Sequence, residues 1–254
     1  LSLPQLMLTG MDSLAVTLVT LTVAFVTALV LGRALGIPSK LRTLIGVGTA
    51  ICGGSAIAAV TPILKPEEHE TALAISTIFI FNIVAVLIFP LAGHMMNMSD
   101  AGFGVWAGTA INDTSSVVAA GYSYSRQAGD HATIVKLTRA TLIIPICLIL
   151  AGLEMWRSRQ AGRDFDLMRV FPWFIVWFMV ASALRSLGWV PVEWLEPLRF
   201  LAEVLMVLAL AAIGLCSDLK VMARAGARPA LLGLGVWIAV AVSSLLVQRW
   251  IGVW

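Results

Sequence analysis

The 254 residues are 59% apolar and only 12% charged, against about 45–50% and 25% in soluble domains. A water-soluble chain of this length has no use for that much apolar surface, so the composition excludes a soluble enzyme or binding module and fits a bundle of membrane helices. The net charge of +3 comes from Lys and Arg between apolar runs, which bears on membrane orientation and gives no basis for a nucleic-acid partner.

Eight apolar segments follow one another, at 14–32, 43–61, 71–92, 104–121, 132–153, 170–187, 197–216 and 230–251. Each run is continuous rather than alternating with period two, which predicts helices and not strands. Several approach the roughly 20 residues that a hydrocarbon core of about 30 Å requires. The expected architecture is all-α, a polytopic membrane bundle forming one domain over residues 1–254, with the lipid bilayer as its surroundings. Cys52, Cys147 and Cys216 lie in or beside apolar runs and make no disulfide framework. The chain opens Leu1-Ser2-Leu3-Pro4 without a signal-peptide pattern, and further spans are expected ahead of it.

The separators hold the charges. If all eight segments cross, alternate loops carry ten Lys and Arg against five, and the richer set is expected on the cytoplasmic side. The ends of the chain also echo one another: Ser2…Leu6-Met7…Gly10 before the first apolar run resembles Ser217…Val221-Met222…Gly226 before the last. Those two runs would point in opposite directions, as in the inverted repeats of secondary transporters.

A second repeat lies inside. GTAICGGSAIAA at 48–59 and GTAINDTSSVVA at 108–119 share six of twelve positions. Only one full span separates them, so two crossings would run parallel. If both segments enter and return they become antiparallel, and the Lys and Arg bias becomes eleven against four.

The first copy concentrates glycine, which costs about 1 kcal/mol relative to alanine within a helix. Gly53-Gly54 permits a break, with Thr49 and Ser55 beside it, and freed backbone groups must then find partners inside protein or a wet cavity. A small-residue packing face is the alternative. The second copy places Asn112, Asp113, Thr114 and Ser115 after Thr109 in an apolar context. A carboxylate costs about 2.5–3.5 kcal/mol within a membrane helix and so faces a cavity or a partner; the alternative is a surface loop with Asp113 as a helix cap. Lys136 and Arg139 share a helix face. They stand either as a positive wall facing Asp113 and an anion, or as residues one to two turns inside the segment that snorkel to water. Asn82, midway along its run, is either a helix-packing residue or a ligand.

Little else suggests chemistry. His69, His94 and His131 fall in separators without metal-ligand spacing. Gly53-Gly54-Ser55 has the look of a nucleophile turn, but no His lies in a later span to serve as base. Glu203 is expected to reach the interface, and the nine Trp mostly flank spans as an aromatic belt.

GTAICGGSAIAAV at 48–60, WAGTAINDTSSVVAAGY at 106–122, ATIVKLTRA at 132–140 and LALAAIGLCSDLKVMARAGARPALLG at 208–233 resemble the sulfate exporter family of bacterial inner-membrane proteins. That family is grouped with the bile acid–arsenite–riboflavin transporter superfamily. The resemblance implies inverted repeats with broken helices crossing at mid-membrane, two or three additional N-terminal spans, and a site drawn from Gly53, Gly54, Ser55, Asp113, Thr114 and Ser115. Relatives often carry His where this chain has Asn112, which removes a proton relay there. The function expected is secondary transport of a small anionic solute such as a sulfate or sulfonate, coupled to Na+ or H+ through Asp113, with no other cofactor and no catalytic residues. A homo-oligomer is compatible with this. A channel or sensory membrane protein without coupling is the rival, and an intramembrane enzyme a more distant one.

Overall fold

The apolar run that closes at Arg33 extends back to residue 3 as one helix, α1 (Leu3–Ala34). A turn through Gly36, at φ +67°, reverses the chain into α2 (Ser39–Ala50). In this computed structural model, residues 3–160 and 226–254 are described, together with scattered positions between 180 and 208. The helices that follow are α3 (Gly54–Leu64), α4 (Glu68–Met95), α5 (Asp100–Ala110), α6 (Thr114–Tyr124), α7 (Arg126–Thr141), α8 (Ile143–Gln160) and α9 (Arg228–Ile251). All the longer described elements are helices. The predicted spans 170–187 and 197–216, with Glu203 and Cys216, lie outside the described residues apart from isolated positions.

Four stretches are long and apolar enough to cross a bilayer: Ser13–Ala34, Glu68–Met95, Arg126–Trp156 and Arg228–Ile251. The third joins α7 to α8. Pro145 offers no N–H to the Thr141 carbonyl and its ring crowds that carbonyl; α7 ends there, and the Leu142 N–H bonds Arg139 O at 3.1 Å. The segment begins at Arg126, six residues before the predicted start at 132, because Ser125 caps it by accepting from Ala128 N.

The segments 43–61 and 104–121 are not spans. Each is a pair of short helices that enters and returns. Lys40 Nζ, at the start of α2, donates to Lys65 O just past the end of α3, at 2.6 Å. Ser125 Oγ, just past α6, donates to Asp100 Oδ1 at the start of α5, at 2.5 Å. Tyr124 Oη reaches Met98 O, and its ring stacks on Phe103 with centroids 4.0 Å apart. A segment whose two ends touch cannot cross, so each is a re-entrant hairpin. The crossing of broken helices implied by the family resemblance is therefore replaced by return.

Glycines let the hairpins approach the spans so closely. A Cβ on Gly48 would stand 2.1 Å from Ile78 Cδ1 of α4, and one on Gly108 would stand 2.8 Å from Val135 of α7. The shared Gly-Thr-Ala-Ile opening is thus a packing surface in both copies, each laid against the span that follows it in sequence.

Direction follows from neighbouring residues. Gly46 packs on Ala28 and Gly32 on Arg42, so α2 runs antiparallel to α1. Gly36 lies near Arg228 and Gly102 near Trp254, so α9 starts where α1 ends and finishes where α5 begins. The first hairpin therefore enters from the end holding Arg33 and Arg228, and the second from the end holding Asp100 and Trp254. The unit of hairpin plus span, α2–α3–α4, recurs inverted as α5–α6–α7, and α1 and α9 are antiparallel, as the sequence echo anticipates. Trp106, which the belt pattern would place at an interface, is 5% exposed and stacks on Phe89 at 4.1 Å between centroids.

In a background lacking Cys52, Cys147 and Cys216, the single variants Lys40→Cys and Glu67→Cys should react with a membrane-impermeant maleimide from one side only. Met95→Cys and Gln127→Cys should react only from the other. Labelling of the two members of either pair from opposite sides would show a crossing segment in place of a hairpin.

Candidate functional site

Each hairpin turns after one rank of helix. The twelve residues of α2 and the eleven of α5 rise about 16–18 Å at 1.5 Å per residue, which is about half of a 30 Å core. The turns therefore meet near mid-depth. Gly53, at φ +70° and ψ −128°, forms the first turn, and a Cβ there would stand 3.6 Å from the carbonyl carbon of Asn112 in the second. Asn82, fourteen residues into α4, lies at the same level.

A helix that stops in a bilayer leaves carbonyls without partners, and no water is at hand to take them. Lys136 and Arg139 supply the missing donors. Lys136 Nζ donates to Ile51 O at 2.8 Å and to Ile111 O at 3.0 Å, joining one hairpin to the other. Arg139 Nε donates to Ala50 O at 2.6 Å, and its two terminal nitrogens donate to Thr49 O and Thr109 O. Both cations sit at the negative ends of the α2 and α5 dipoles, where positive charge is stabilised. Both are wholly buried, at 0% exposure.

This decides one of the alternatives for the basic pair. Counted from Arg126, Lys136 is ten residues into its helix, about 15 Å deep, and snorkelling is excluded by its burial. The hydrogen bonds of the pair go to backbone carbonyls. Asp113 instead caps α6: its Oδ2 accepts from Ser115 N at 3.0 Å, from Ser116 N at 3.3 Å and from the Ser115 hydroxyl. The cap is set at mid-depth and half-buried, so the surface-loop alternative for this segment does not hold.

Asn82 completes the junction. Its Oδ1 accepts from Asn112 N at 3.0 Å and Asp113 N at 3.3 Å, satisfying the second turn from the span of the first repeat. Asn82 Nδ2 and Asn112 Oδ1 are buried with no protein partner. Ser55, exposed, donates to Cys52 O at 3.1 Å. Thr114 is half-buried and Ser115 exposed. The structure thus gathers Thr49, Gly53, Gly54, Ser55, Asn82, Thr109, Asn112, Asp113, Thr114, Ser115, Lys136 and Arg139 about one junction. Of these, Thr49 and Thr109 contribute backbone carbonyls to the clamp.

A polar seam runs on from Thr109. Its hydroxyl shares a 2.7 Å hydrogen bond with Ser244 Oγ, which also accepts from Gln248 Nε2 at 2.9 Å. Ser244 and Gln248 are fully buried on α9, as are Thr17 and Thr20 on α1. Sequence reasoning passed over these four. The signal was there in the spacing: Ser244 and Gln248 are four apart on one face of an otherwise apolar helix, and so are Thr17 and Ser13, all of them buried.

Opposed re-entrant hairpins, joined at mid-depth inside a bundle of membrane-spanning helices, define a polytopic membrane protein with a polar centre. The chain belongs to the family described as conserved hypothetical protein 698, whose model matches residues 1–233. A UPF0324 membrane protein of Clostridium tetani is 42% identical over 265 residues, covering 99% of this chain and 77% of that protein. One from Streptococcus pneumoniae strain R6 is 43% identical over 263 residues, covering 100% and 77%. Another, from Streptococcus agalactiae serotype V, is 40% identical over 263 residues, covering 100% and 78%. These names state a membrane protein and specify no solute. No solved structure matches the chain.

Replacing Lys136 by Met strands two buried carbonyls, each worth about 1–3 kcal/mol. Lys136→Met should therefore lower the melting temperature in detergent far more than Leu137→Ala, whose side chain is 55% exposed on the outer face of the same helix. Equal shifts for the two variants would contradict the clamp.

Proposed function

We propose that this protein is a secondary active transporter of a small anionic solute, sulfate- or sulfonate-like, in the bacterial inner membrane. The observation that carries the proposal is the meeting of two re-entrant hairpins, entered from opposite ends, at one polar junction. A solute held there stands behind one hairpin from each side. Moving one inverted repeat against the other opens the junction to the two faces in turn, which is how alternating access works in transporters built on such repeats.

The charge at the junction favours an anion. Lys136, Arg139 and Asp113 leave a formal excess of one positive charge, and the entering and returning ends of each hairpin have opposite dipoles that offset one another locally. Among the described residues, Asp113 is the one carboxylate at the junction, and it is the proposed coupling group for a proton or Na+. The end where the first hairpin enters carries Arg33, Lys40, Arg42, Lys65, Arg157, Arg159 and Arg228 among the described residues, the opposite end Arg126 and Arg249. That asymmetry supports a cytoplasmic entry for the first hairpin.

Purified protein in liposomes should take up labelled sulfate or a small sulfonate saturably when a proton or Na+ gradient is imposed, and Asp113→Asn should lose the gradient dependence. Non-saturating flux that ignores both gradients would instead mark a channel. Gradient-driven uptake unchanged in Asp113→Asn would remove Asp113 from coupling.

A further inference from the structure

The internal repeat makes Gly53 the counterpart of Asp113: each is the fifth residue after its Gly-Thr-Ala-Ile glycine, and each is the N-cap of its returning helix. At α6 the cap is a carboxylate, filling the N-terminus with its own oxygens. At α3 the cap has no side chain and makes no side-chain hydrogen bond. The first N–H groups of a helix have no partner within it, and here Gly54 and Ala56 are buried at mid-depth. The chain cannot place its own carboxylate there as it does at Asp113. Gly53 lies at φ +70° and ψ −128°, where an L side chain is strained whatever the space around it.

A second observation concerns the neighbouring span. Asn82 is 2% exposed, its Oδ1 is committed to the N–H groups of Asn112 and Asp113, and its Nδ2 has no partner. Gly53 lies against that same peptide: a Cβ on it would be 3.7 Å from Asn112 O and 3.6 Å from Ile78 Cγ2. Ile78 and Asn82 are one turn apart on one face of α4, so the unused amide donor and the unfilled helix N-terminus occupy the same junction. A buried donor left unmade is costly, and the Asn82 donor and the α3 N-terminus belong to one junction, which also holds the buried Asn112 Oδ1.

We infer that the α3 N-terminus and Asn82 Nδ2 form an oxyanion site, in which a carboxylate, sulfonate or sulfate group of the solute takes the place that the Asp113 carboxylate takes at α6. This rests on the transporter proposal and names the recognition element within it. Asp113 is the built-in template of the bound group, and Gly53 is the position that keeps the matching place vacant. Lys136 and Arg139 act beside it as fixed positive charge, since their hydrogen bonds already go to carbonyls.

Two substitutions each remove one donor and keep the local fold. Ser55→Pro deletes one N–H from the first turn of α3, where proline is tolerated. Asn82→Asp keeps an oxygen for Asn112 N and Asp113 N and exchanges the free donor for an acceptor. Calorimetric titration of purified protein with acetate, methanesulfonate and sulfate should detect binding of at least one, and the ranking identifies the headgroup. Each variant should bind it about ten- to a hundredfold more weakly with unchanged helical content. If Ser55→Pro does not fold, Asn82→Asp decides alone. Wild-type affinity in the folded variants would overturn the inference and leave the transporter proposal standing, as would uptake without oxyanion binding at this junction. Absence of both binding and gradient-driven uptake in the wild type would overturn the transporter proposal itself.

Discussion

Two helices that stop halfway through a bilayer leave carbonyls that hydrocarbon cannot solvate, and everything at the centre of this protein answers that constraint. Lys136 and Arg139 together donate to carbonyls of Thr49, Ala50, Ile51, Thr109 and Ile111. Either charge alone would be expensive in a membrane interior. Here the cations and the helix ends relieve one another: the ammonium and guanidinium gain acceptors, and the negative ends of two dipoles gain positive charge.

The arrangement is reciprocal between the repeats. The first turn is held largely by α7, which belongs to the second repeat, and the second turn is partly held by Asn82 of α4, which belongs to the first. Neither hairpin can therefore settle at its depth without the other repeat in place. Lys136 touches both turns at once, so a relative movement of the repeats must be registered at that side chain. The aromatic contacts of α5 and α6, Phe89 on Trp106 and Phe103 on Tyr124, tie the second hairpin to α4 and to itself. The first hairpin has a glycine turn and an uncapped returning helix in the corresponding place. Such an asymmetry within a symmetric plan is how two related segments come to do different work.

Much of this was legible in the sequence, and the failures have physical causes. Continuous apolar runs gave helices because only helices satisfy their own backbone in lipid. The repeated Gly-Thr-Ala-Ile string singled out both segments, and Asp113 after it marked a helix start. Whether these segments crossed or returned was not readable from composition, because a hairpin of two short apolar helices has the same length and hydropathy as one span. The answer lies in contacts between residues twenty-five apart, Lys40 with Lys65 and Asp100 with Ser125. The depth of Lys136 was misjudged because α7 starts at a Ser125 cap within a polar stretch, before the apolar run begins. Its partners were unreadable for a plainer reason: they are backbone carbonyls, which carry no side-chain signature.

The clamp at mid-depth is the claim on which the rest stands, and a density map of the protein in a lipid nanodisc tests it most directly. The account predicts both turns at the centre of the bilayer, with the Lys136 side chain bridging the carbonyls of Ile51 and Ile111. A map in which either 43–61 or 104–121 passes through to the opposite face, or in which Lys136 reaches neither turn, would contradict it.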